Sequence, residues 1–268
     1  MIPIEEEAKS LEPVMVHQFG PAAVIVINRP DENNAVNDEV RDGIIWALDR
    51  IERDPATSVA VLTGAGDDSF SVGADLNQLA TLTPPEAKLM AEKQRRVCER
   101  LAHLSKPIIG AIKGACIGAG FELALHCDIR FARADARFGL PGVNVGLVPG
   151  GSAVGRLTQL IGAGPARALC LTGGIISAER AFMLGLVTNV IQPDEFRPTV
   201  EQLVEHLCTL SPVALAELKG LLNRSIEDGF QAAVDAGPES LERCFSDGDA
   251  MERLQAMFGG PDPEATVH

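Results

Sequence analysis

The chain has 268 residues, of which 46% are hydrophobic and 22% are charged, and its formal net charge is -14. This composition is typical of a globular protein that forms one large domain or a core with an appendage. The acidic charge disfavours nucleic acid as a partner, because phosphate binding needs clustered Lys and Arg, although backbone N–H groups could still bind an anionic small molecule.

The first part of the chain alternates predicted strands with predicted helices. Apolar strands are predicted at 22–30, 58–66 and 106–114, and helices at 37–52, 84–104 and 121–127. Asn37 is expected to cap the first of these helices. Two short strands are expected within 127–141, around an Ala-Asp-Ala turn. Strands that are apolar on both faces and alternate with helices are typical of parallel βαβ units, so the sequence predicts an α/β fold.

From Gly151 onward the predicted pattern becomes mainly helical. Ser177 precedes one helical stretch, and Ser211 followed by Pro212 opens another with a cap and a proline at the first helical position. Helices that follow an α/β core without strands between them often form a lid or an oligomer contact. We expect a core over 12–195, a helical region over 196–258 and a disordered tail over 259–268.

Neither secretion nor membrane insertion is predicted. The first ten residues, "MIPIEEEAKS", are acidic and lack the apolar stretch of a signal peptide. The longest charge-free run, "FGLPGVNVGLVPGGSAVG", contains too much Gly and Pro for a membrane helix. Six scattered cysteines without a C-x-x-C pair indicate reduced thiols, not a metal site or a disulfide framework. We therefore expect a cytoplasmic protein that binds no metal.

Two segments share one design: a strand, a turn containing glycine, and a helix start. They are "VLTGAGDDSFSVGADLNQL" and "IIGAIKGACIGAGFELAL". Small residues at such turns leave backbone N–H groups unobstructed, and a helix N-terminus adds partial positive charge. If the N–H groups of Ala74 and Ala119 converge on one oxygen atom, they form an oxyanion hole. The alternative is a pair of tight turns that hold no ligand.

A dinucleotide site is disfavoured. Gly118 and Gly120 lie between a strand and a helix, but Leu123 stands where the third glycine of the G-x-G-x-x-G pattern belongs. An acidic residue at the expected position after a following strand is also missing. A nicotinamide dehydrogenase therefore remains only a remote hypothesis.

Glu122 is a lone carboxylate among apolar residues. Such surroundings should raise its pKa and favour proton exchange near neutral pH. Alternatively, Glu122 caps its own helix or pairs with an arginine such as Arg130. His126 lies four residues later and shares a helical face with Glu122. The histidine either tunes the carboxylate or simply packs at the end of the helix.

The sequence resembles the crotonase superfamily, the enoyl-CoA hydratase/isomerase proteins. The resemblance covers roughly residues 12 to 192 and rests on four motifs in family order: "INRPDENNAVND", "LTGAGDDSFSVGADLNQL", "KPIIGAIKGACIGAGFELALHCDIRFARADARFGLPGVNVGLVPGGS" and "AERAFMLGLVTNVI". It implies a spiral of ββα units with a C-terminal helical trimerisation region. It also implies a homotrimer or, as a dimer of trimers, a homohexamer.

The resemblance further implies an acyl-CoA thioester as the ligand, with coenzyme A as part of the substrate and no separate cofactor. Glu122 matches the family's first catalytic glutamate, and the N–H groups of Ala74 and Ala119 match its oxyanion hole. The remaining residues implied in coenzyme A or substrate binding are Ala35, near the adenine, and Asp75, Leu76, Asn77 and Gly118. Arg29, which borders one of the motif strands, is a candidate for binding the coenzyme A phosphates.

The sequence departs from the family where a second catalytic carboxylate is expected. Gly142 occupies the position of the second glutamate of hydratases, and Gly150 the position used by some isomerases. The tyrosine that certain aromatic acyl-CoA lyases recruit is also missing, since the chain contains no tyrosine. Two hypotheses follow: an enoyl-CoA hydratase or isomerase that works through Glu122, or an acyl-CoA binder with little or no turnover.

Overall fold

The computed structural model describes residues 12–257, and the expected disordered tail lies outside them. The chain divides into two compact units, 1–208 and 209–268. The sequence predicted this division after residue 195, at the start of a helix. In the structure that helix, Pro193–Thr209, buries Phe196, Val200 and Val204 and belongs almost entirely to the first unit.

The first unit contains ten strands and eight α-helices within the described residues. In chain order they are β1 (Val14–Phe19), β2 (Ala22–Ile27), α1 (Asp38–Arg53), β3 (Val59–Gly64), β4 (Ser69–Ser71), α2 (Leu76–Leu79), α3 (Pro84–Ala102), β5 (Ile108–Ile112), β6 (Ala115–Ile117), α4 (Ala119–Leu125), β7 (Ile129–Arg133), β8 (Arg137–Gly139), α5 (Ala153–Ile161), α6 (Ala163–Thr172), β9 (Ile175–Ser177), α7 (Ala178–Met183), β10 (Asn189–Ile191) and α8 (Pro193–Thr209). Short 3-10 turns lie at Pro30–Glu32 and Pro141–Val145.

The strands form two sheets. The larger has the order β1-β2-β3-β5-β7-β10, in which only β1 and β2 are antiparallel neighbours. The smaller has the order β4-β6-β8-β9, and its first three strands are parallel. Each of β3, β5 and β7 is followed by a short strand of the second sheet and then by helix. This repeated ββα pattern confirms the predicted α/β spiral.

The core forms where the sequence is most regularly apolar. Strands β2, β3 and β5 are buried along their whole length. Helix α1 buries the predicted face, which consists of Val40, Ile44, Ala47, Leu48 and Ile51. Each large aliphatic side chain buried in this way contributes about 1.5–3 kcal/mol. The two glycine turns predicted from the sequence follow β4 and β6, in the smaller sheet.

Capping side chains fix the helix starts that the sequence predicted. The Asn37 side chain accepts a hydrogen bond from the Val40 N–H at 2.9 Å. In the same way, Ser177 caps α7 and Ser211 caps the helix that begins at Pro212. Each such cap contributes about 1 kcal/mol to helix stability.

The second unit consists of the helices α9 (Pro212–Glu227), α10 (Phe230–Asp247) and α11 (Asp249–Met257). Several large apolar side chains on α9 and α10 are exposed, among them Leu218, Leu222, Phe230 and Leu241. The predicted role of this region in trimerisation stays a prediction. Across residues 12–257, no helix is both long enough and apolar enough to cross a bilayer.

Candidate active site

Two glycine turns touch at the edge of the smaller sheet. Gly73 follows β4 and Gly118 follows β6, and both have positive φ, at 101° and 52°. A Cβ atom on Gly73 would lie 2.8 Å from the Ile117 carbonyl oxygen and 3.3 Å from the Ala119 nitrogen. Glycine is therefore required at this contact for both space and backbone conformation. The contact brings Ala74 and Ala119, each the next residue in the chain, close together.

Each of the two alanines is held by backbone structure. Val36 forms a parallel bridge with Ala74, in which the Val36 N–H donates to Gly73 at 2.7 Å and the Asp75 N–H donates to Val36 at 3.1 Å. Ala119 is the first residue of α4. Among the described residues, neither the Ala74 N–H nor the Ala119 N–H has an acceptor. Two partly exposed alanines thus present unused donors, as an oxyanion hole requires.

Asp75 is a structural carboxylate in this arrangement. It caps α2 by accepting from the N–H groups of Asn77 and Gln78, and it pairs with Arg29 at 3.0 Å. Burial alone would raise the pKa of Asp75, but the hydrogen bonds from Arg29 and from the two N–H groups hold it below its ordinary value. Asp75 is therefore an anion at neutral pH and not a proton donor.

The other residues implied in coenzyme A binding lie around Asp75. Arg29 also donates to the carbonyl of Ala35 at 2.8 Å, so its charge is partnered within the chain. Ala35 is buried, whereas Leu76 is 74% exposed and Asn77 is exposed beside it. Gly118 is half-buried next to Gly73. The implied residues thus surround one edge of the smaller sheet.

Glu122 lies one helical turn after Ala119 and is only 3% exposed. Its carboxylate oxygen Oε2 accepts a hydrogen bond from the Gly151 N–H at 3.0 Å. Burial raises the pKa of Glu122 to about 7, against the opposing effects of the Gly151 N–H and the positive charge of Arg41. A carboxyl group with this pKa is poised to accept and return a proton near neutral pH.

A buried polar network flanks Glu122 on the side of α1 and α3. Arg41 is 1% exposed and donates through Nε to the side-chain oxygen of Gln94 at 3.1 Å. Gln94 in turn donates to the carbonyl of Ala119 at 3.2 Å. Arg41 is also paired with Asp38 at 2.9 Å. The network therefore connects a fixed positive charge to the residue that carries one of the free N–H donors.

The hydrogen bonds show which groups contact Glu122 and His126 directly. Arg130 does not pair with Glu122; its guanidinium donates to backbone carbonyls, including that of Leu186 at 2.6 Å. The His126 ring contacts the backbone carbonyl of Glu122 at 2.7 Å and not its carboxylate. Its other nitrogen lies 2.7 Å from the Ser152 hydroxyl. His126 is thus packed at the helix end and makes no hydrogen bond to the Glu122 carboxylate itself.

Gly142 lies in the 3-10 turn Pro141–Val145, with its carbonyl bonded to the Leu147 N–H at 2.8 Å. A Cβ atom at Gly142 would stand 3.0 Å from the Leu147 carbonyl oxygen. The turn is followed by an exposed apolar stretch that includes Val145 and Val148. This site has only one carboxylate positioned for proton transfer among the described residues. Within residues 12–257, no cluster of His, Cys, Asp and Glu could hold a metal ion.

The sequence did not reveal the partners that hold Glu122 in place. Gly151, Gln94 and Ser152 come from segments distant in the chain, and none carries a motif by itself. The glycine pair at 150–151 is the one signal that could have indicated a close backbone approach there, although it does not identify the atom approached.

Comparison with known proteins gives one consistent result. The family model described as enoyl-CoA hydratase/isomerase matches residues 20–259. The chain is 34% identical over 248 residues to the short-chain-enoyl-CoA hydratase of Clostridium acetobutylicum, covering 92% of this chain and 95% of that protein. It is 33% identical over 247 residues to the crotonyl-CoA hydratase of Syntrophomonas wolfei, covering 92% and 95%. The crystal structure of an enoyl-CoA hydratase from Bacillus anthracis matches with a TM-score of 0.88 at 29% identity, covering 91% of this chain and 95% of that one.

Proposed function

The chain belongs to the enoyl-CoA hydratase/isomerase family, and from this we propose that it is an enzyme of the hydratase or isomerase type that acts on an acyl-CoA thioester. The observation that carries the proposal is Glu122, a buried carboxyl group with a pKa of about 7 beside two free backbone N–H donors. Proton transfer near neutral pH needs such a group.

In the hydration reaction, ionised Glu122 removes a proton from water as the water oxygen bonds to C3 of a 2-enoyl-CoA. The electron pair of the C2–C3 double bond moves onto the thioester oxygen and forms an enolate. Glu122 then returns the proton to C2, and the carbonyl reforms. In an isomerase, the same carboxyl group would carry a proton between two carbon atoms. Both sequences need only one acid–base group.

The enolate oxygen is held by the N–H groups of Ala74 and Ala119. Fixed donors stabilise charge that develops in the transition state and need no reorganisation at that moment. By analogy with other oxyanion holes, one donor contributes about 3 kcal/mol. Coenzyme A binds along Ala35, Asp75, Leu76, Asn77 and Gly118. Asp75 acts there through the turn that it caps, because its charge is paired with Arg29.

The alternative function is an acyl-CoA binder with little or no turnover. It is favoured by Gly142, which leaves Glu122 without the second carboxylate of ordinary hydratases. The exposed apolar side chains of α9 and α10 support a homotrimer or homohexamer. A cytoplasmic location, expected from the scattered cysteines, stays a prediction.

One assay separates the two functions. A panel of 2-enoyl-CoA thioesters of different chain length is offered to the wild type, to Glu122→Gln and to Gly142→Glu, with hydration and double-bond migration followed. We expect the wild type to turn over at least one thioester and Glu122→Gln to lose about 10²–10⁴-fold in kcat, the range for general acid–base catalysis. Affinity for a saturated acyl-CoA should stay unchanged.

Equal turnover by the wild type and Glu122→Gln would exclude the proposed mechanism. Tight binding without turnover at any chain length would favour the binder. In that case, a large gain of hydration in Gly142→Glu would identify the native site as a hydratase that lacks its second carboxylate.

A further inference from the structure

His126 is held in one tautomer by its two neighbours. Its Nδ1 atom lies 2.7 Å from the backbone carbonyl of Glu122, which can only accept, so Nδ1 carries the hydrogen. Nε2 is then an acceptor, and the Ser152 hydroxyl at 2.7 Å donates to it. The first bond stays within α4 and its C-cap, and the second connects His126 to Ser152, the residue before α5.

The residue before Ser152 contacts the other end of Glu122. The Gly151 N–H donates to Oε2 of Glu122 at 3.0 Å. A Cβ atom on Gly151 would lie 2.3 Å from that oxygen, so the backbone itself is in contact with the carboxylate. The bonds form a closed ring: Glu122 carbonyl, His126, Ser152, Gly151 and the Glu122 carboxylate.

We propose that His126 and Ser152 are positioning residues, which hold the Gly151 N–H against Glu122 and so set the proton affinity of that carboxyl group. The name positioning residue rests on the proposed function of Glu122 as acid and base. The hydrogen-bond ring and its effect on the carboxyl group do not depend on turnover.

The charged groups around the ring are few and come from several elements. Arg41 on α1 acts on Glu122, whereas burial and then the charge of Glu122 raise the pKa of the Cys98 thiol on α3. Arg156 on α5, Arg130 on β7 and Glu99 on α3 act on His126. Burial is the largest influence on His126 and lowers its pKa to about 4. The His126 imidazole therefore stays neutral and keeps its tautomer across the pH range in which Glu122 titrates.

The direct test measures the protonation of Glu122 itself. Protein with carbon-13-labelled glutamate carboxyls is titrated by NMR, and the Glu122 signal is identified by its loss in Glu122→Gln. In Ser152→Ala the Gly151 segment loses its tie to His126, and the ionised carboxylate loses a donor. We expect the midpoint of Glu122 to rise by about one pH unit.

The matched control is Thr158→Ala, on the same helix, which removes an exposed hydroxyl bonded only to the carbonyl of Val154. Its Glu122 midpoint should equal that of the wild type. A Ser152→Ala midpoint that is unchanged or lowered would overturn the proposal, as would an equal rise in the control.

A second variant tests whether the serine acts through the histidine. His126→Leu should raise the midpoint as Ser152→Ala does, and the double variant should add little, because both remove one connection. Full additivity would contradict a single ring. In an active enzyme, the rise of kcat/KM with pH should move with the NMR midpoint. Failure of the proposed function would instead appear as no turnover with the midpoints still shifting.

Discussion

Asp75 and Glu122 each follow a glycine turn at the edge of the smaller sheet, but their surroundings differ. Asp75 accepts from Arg29 and from two backbone N–H groups, and its pKa lies below the ordinary value. Glu122 is deeper, accepts from one N–H at 3.0 Å, and its pKa is raised to about 7. The same chemical group is thus a fixed anion in one turn and a group that titrates near neutral pH in the other.

The difference lies in how far the lost hydration is replaced. A carboxylate removed from water is stabilised only by the donors and charges that face it. Asp75 has a full set of them, so its position is fixed and its charge is constant. Glu122 is more deeply buried, and the Gly151 and Gly150 N–H groups, Gln94 and Arg41 offset only part of the loss of water. Its charged form is therefore about as stable as its protonated form near neutral pH. The charge of the first turn is therefore constant near neutral pH, whereas the charge of the second depends on pH.

The largest expected effect is the pH dependence of stability that Glu122 contributes. Between its ordinary pKa of 4.5 and its folded pKa of about 7, the folded protein keeps a proton that the unfolded chain has released. The contribution of Glu122 to the free energy of unfolding therefore falls as pH rises through this window. From about pH 5 to about pH 8, this contribution amounts to roughly 2–3 kcal/mol.

The Glu122→Gln variant cannot titrate at this position, so it lacks this decrease in the free energy of unfolding. Its side-chain oxygen can still accept the hydrogen bond from the Gly151 N–H. Urea unfolding of wild type and variant at matched protein concentration should show the variant gaining relative stability toward alkaline pH. A constant difference between the two proteins across the window would contradict the raised pKa.

The next effect in size concerns Gly151, whose N–H donates to the Glu122 carboxylate at 3.0 Å. In Gly151→Ala the new methyl group would overlap Oε2, so the carboxyl group must move. A displacement of about 1 Å in a catalytic group costs about 100-fold in kcat. The control is Gly155→Ala on α5, where a Cβ atom meets nothing within 4 Å and activity should stay at the wild-type level. Equal activity of both variants would show that the position of Glu122 is not critical.

The smallest effect concerns Asp75. Asp75→Ala removes the cap of α2 and the partner of Arg29, and should lower the free energy of unfolding by about 1–2 kcal/mol near neutral pH. Because the folded pKa of Asp75 is lowered, this stabilisation is present above the ordinary pKa and is lost as pH falls through the folded value. The sign is opposite to that of Glu122.

Asp75→Asn is the matched control, since its side-chain oxygen can still accept from Asn77 and Gln78. It should recover the part of the stability that comes from the cap, as measured by urea unfolding. A decrease in kcat in Asp75→Asn similar to that in Glu122→Gln would show that both carboxylates take part in proton transfer.

The sequence was sufficient for elements whose signal is local. Long apolar strands such as β2 and β3 and helix α1 with its Asn37 cap could be read directly from composition and periodicity. The strands of the smaller sheet, β4, β6 and β9, have three residues each and show no usable alternation. Their existence depends on pairing with distant strands, which a local pattern does not contain.

The site divides in the same way. Ala74, Ala119 and Glu122 were identified because glycine turns and a lone carboxylate are local signals. The network of Arg41 and Gln94, and the approach of Gly151, could not be predicted, because their partners are far apart in the chain. Arg29 was considered for phosphate binding, and its pairing with Asp75 became evident only in three dimensions.

The contact between Gly73 and Gly118 has a consequence for mutagenesis. The proposed donors Ala74 and Ala119 are already alanine, and they would act through main-chain atoms. An alanine scan of this protein would therefore leave both donors unchanged. It would test them only indirectly, through replacement of the neighbouring glycines. At this contact, the small size of glycine and alanine is what leaves the two backbone N–H groups accessible.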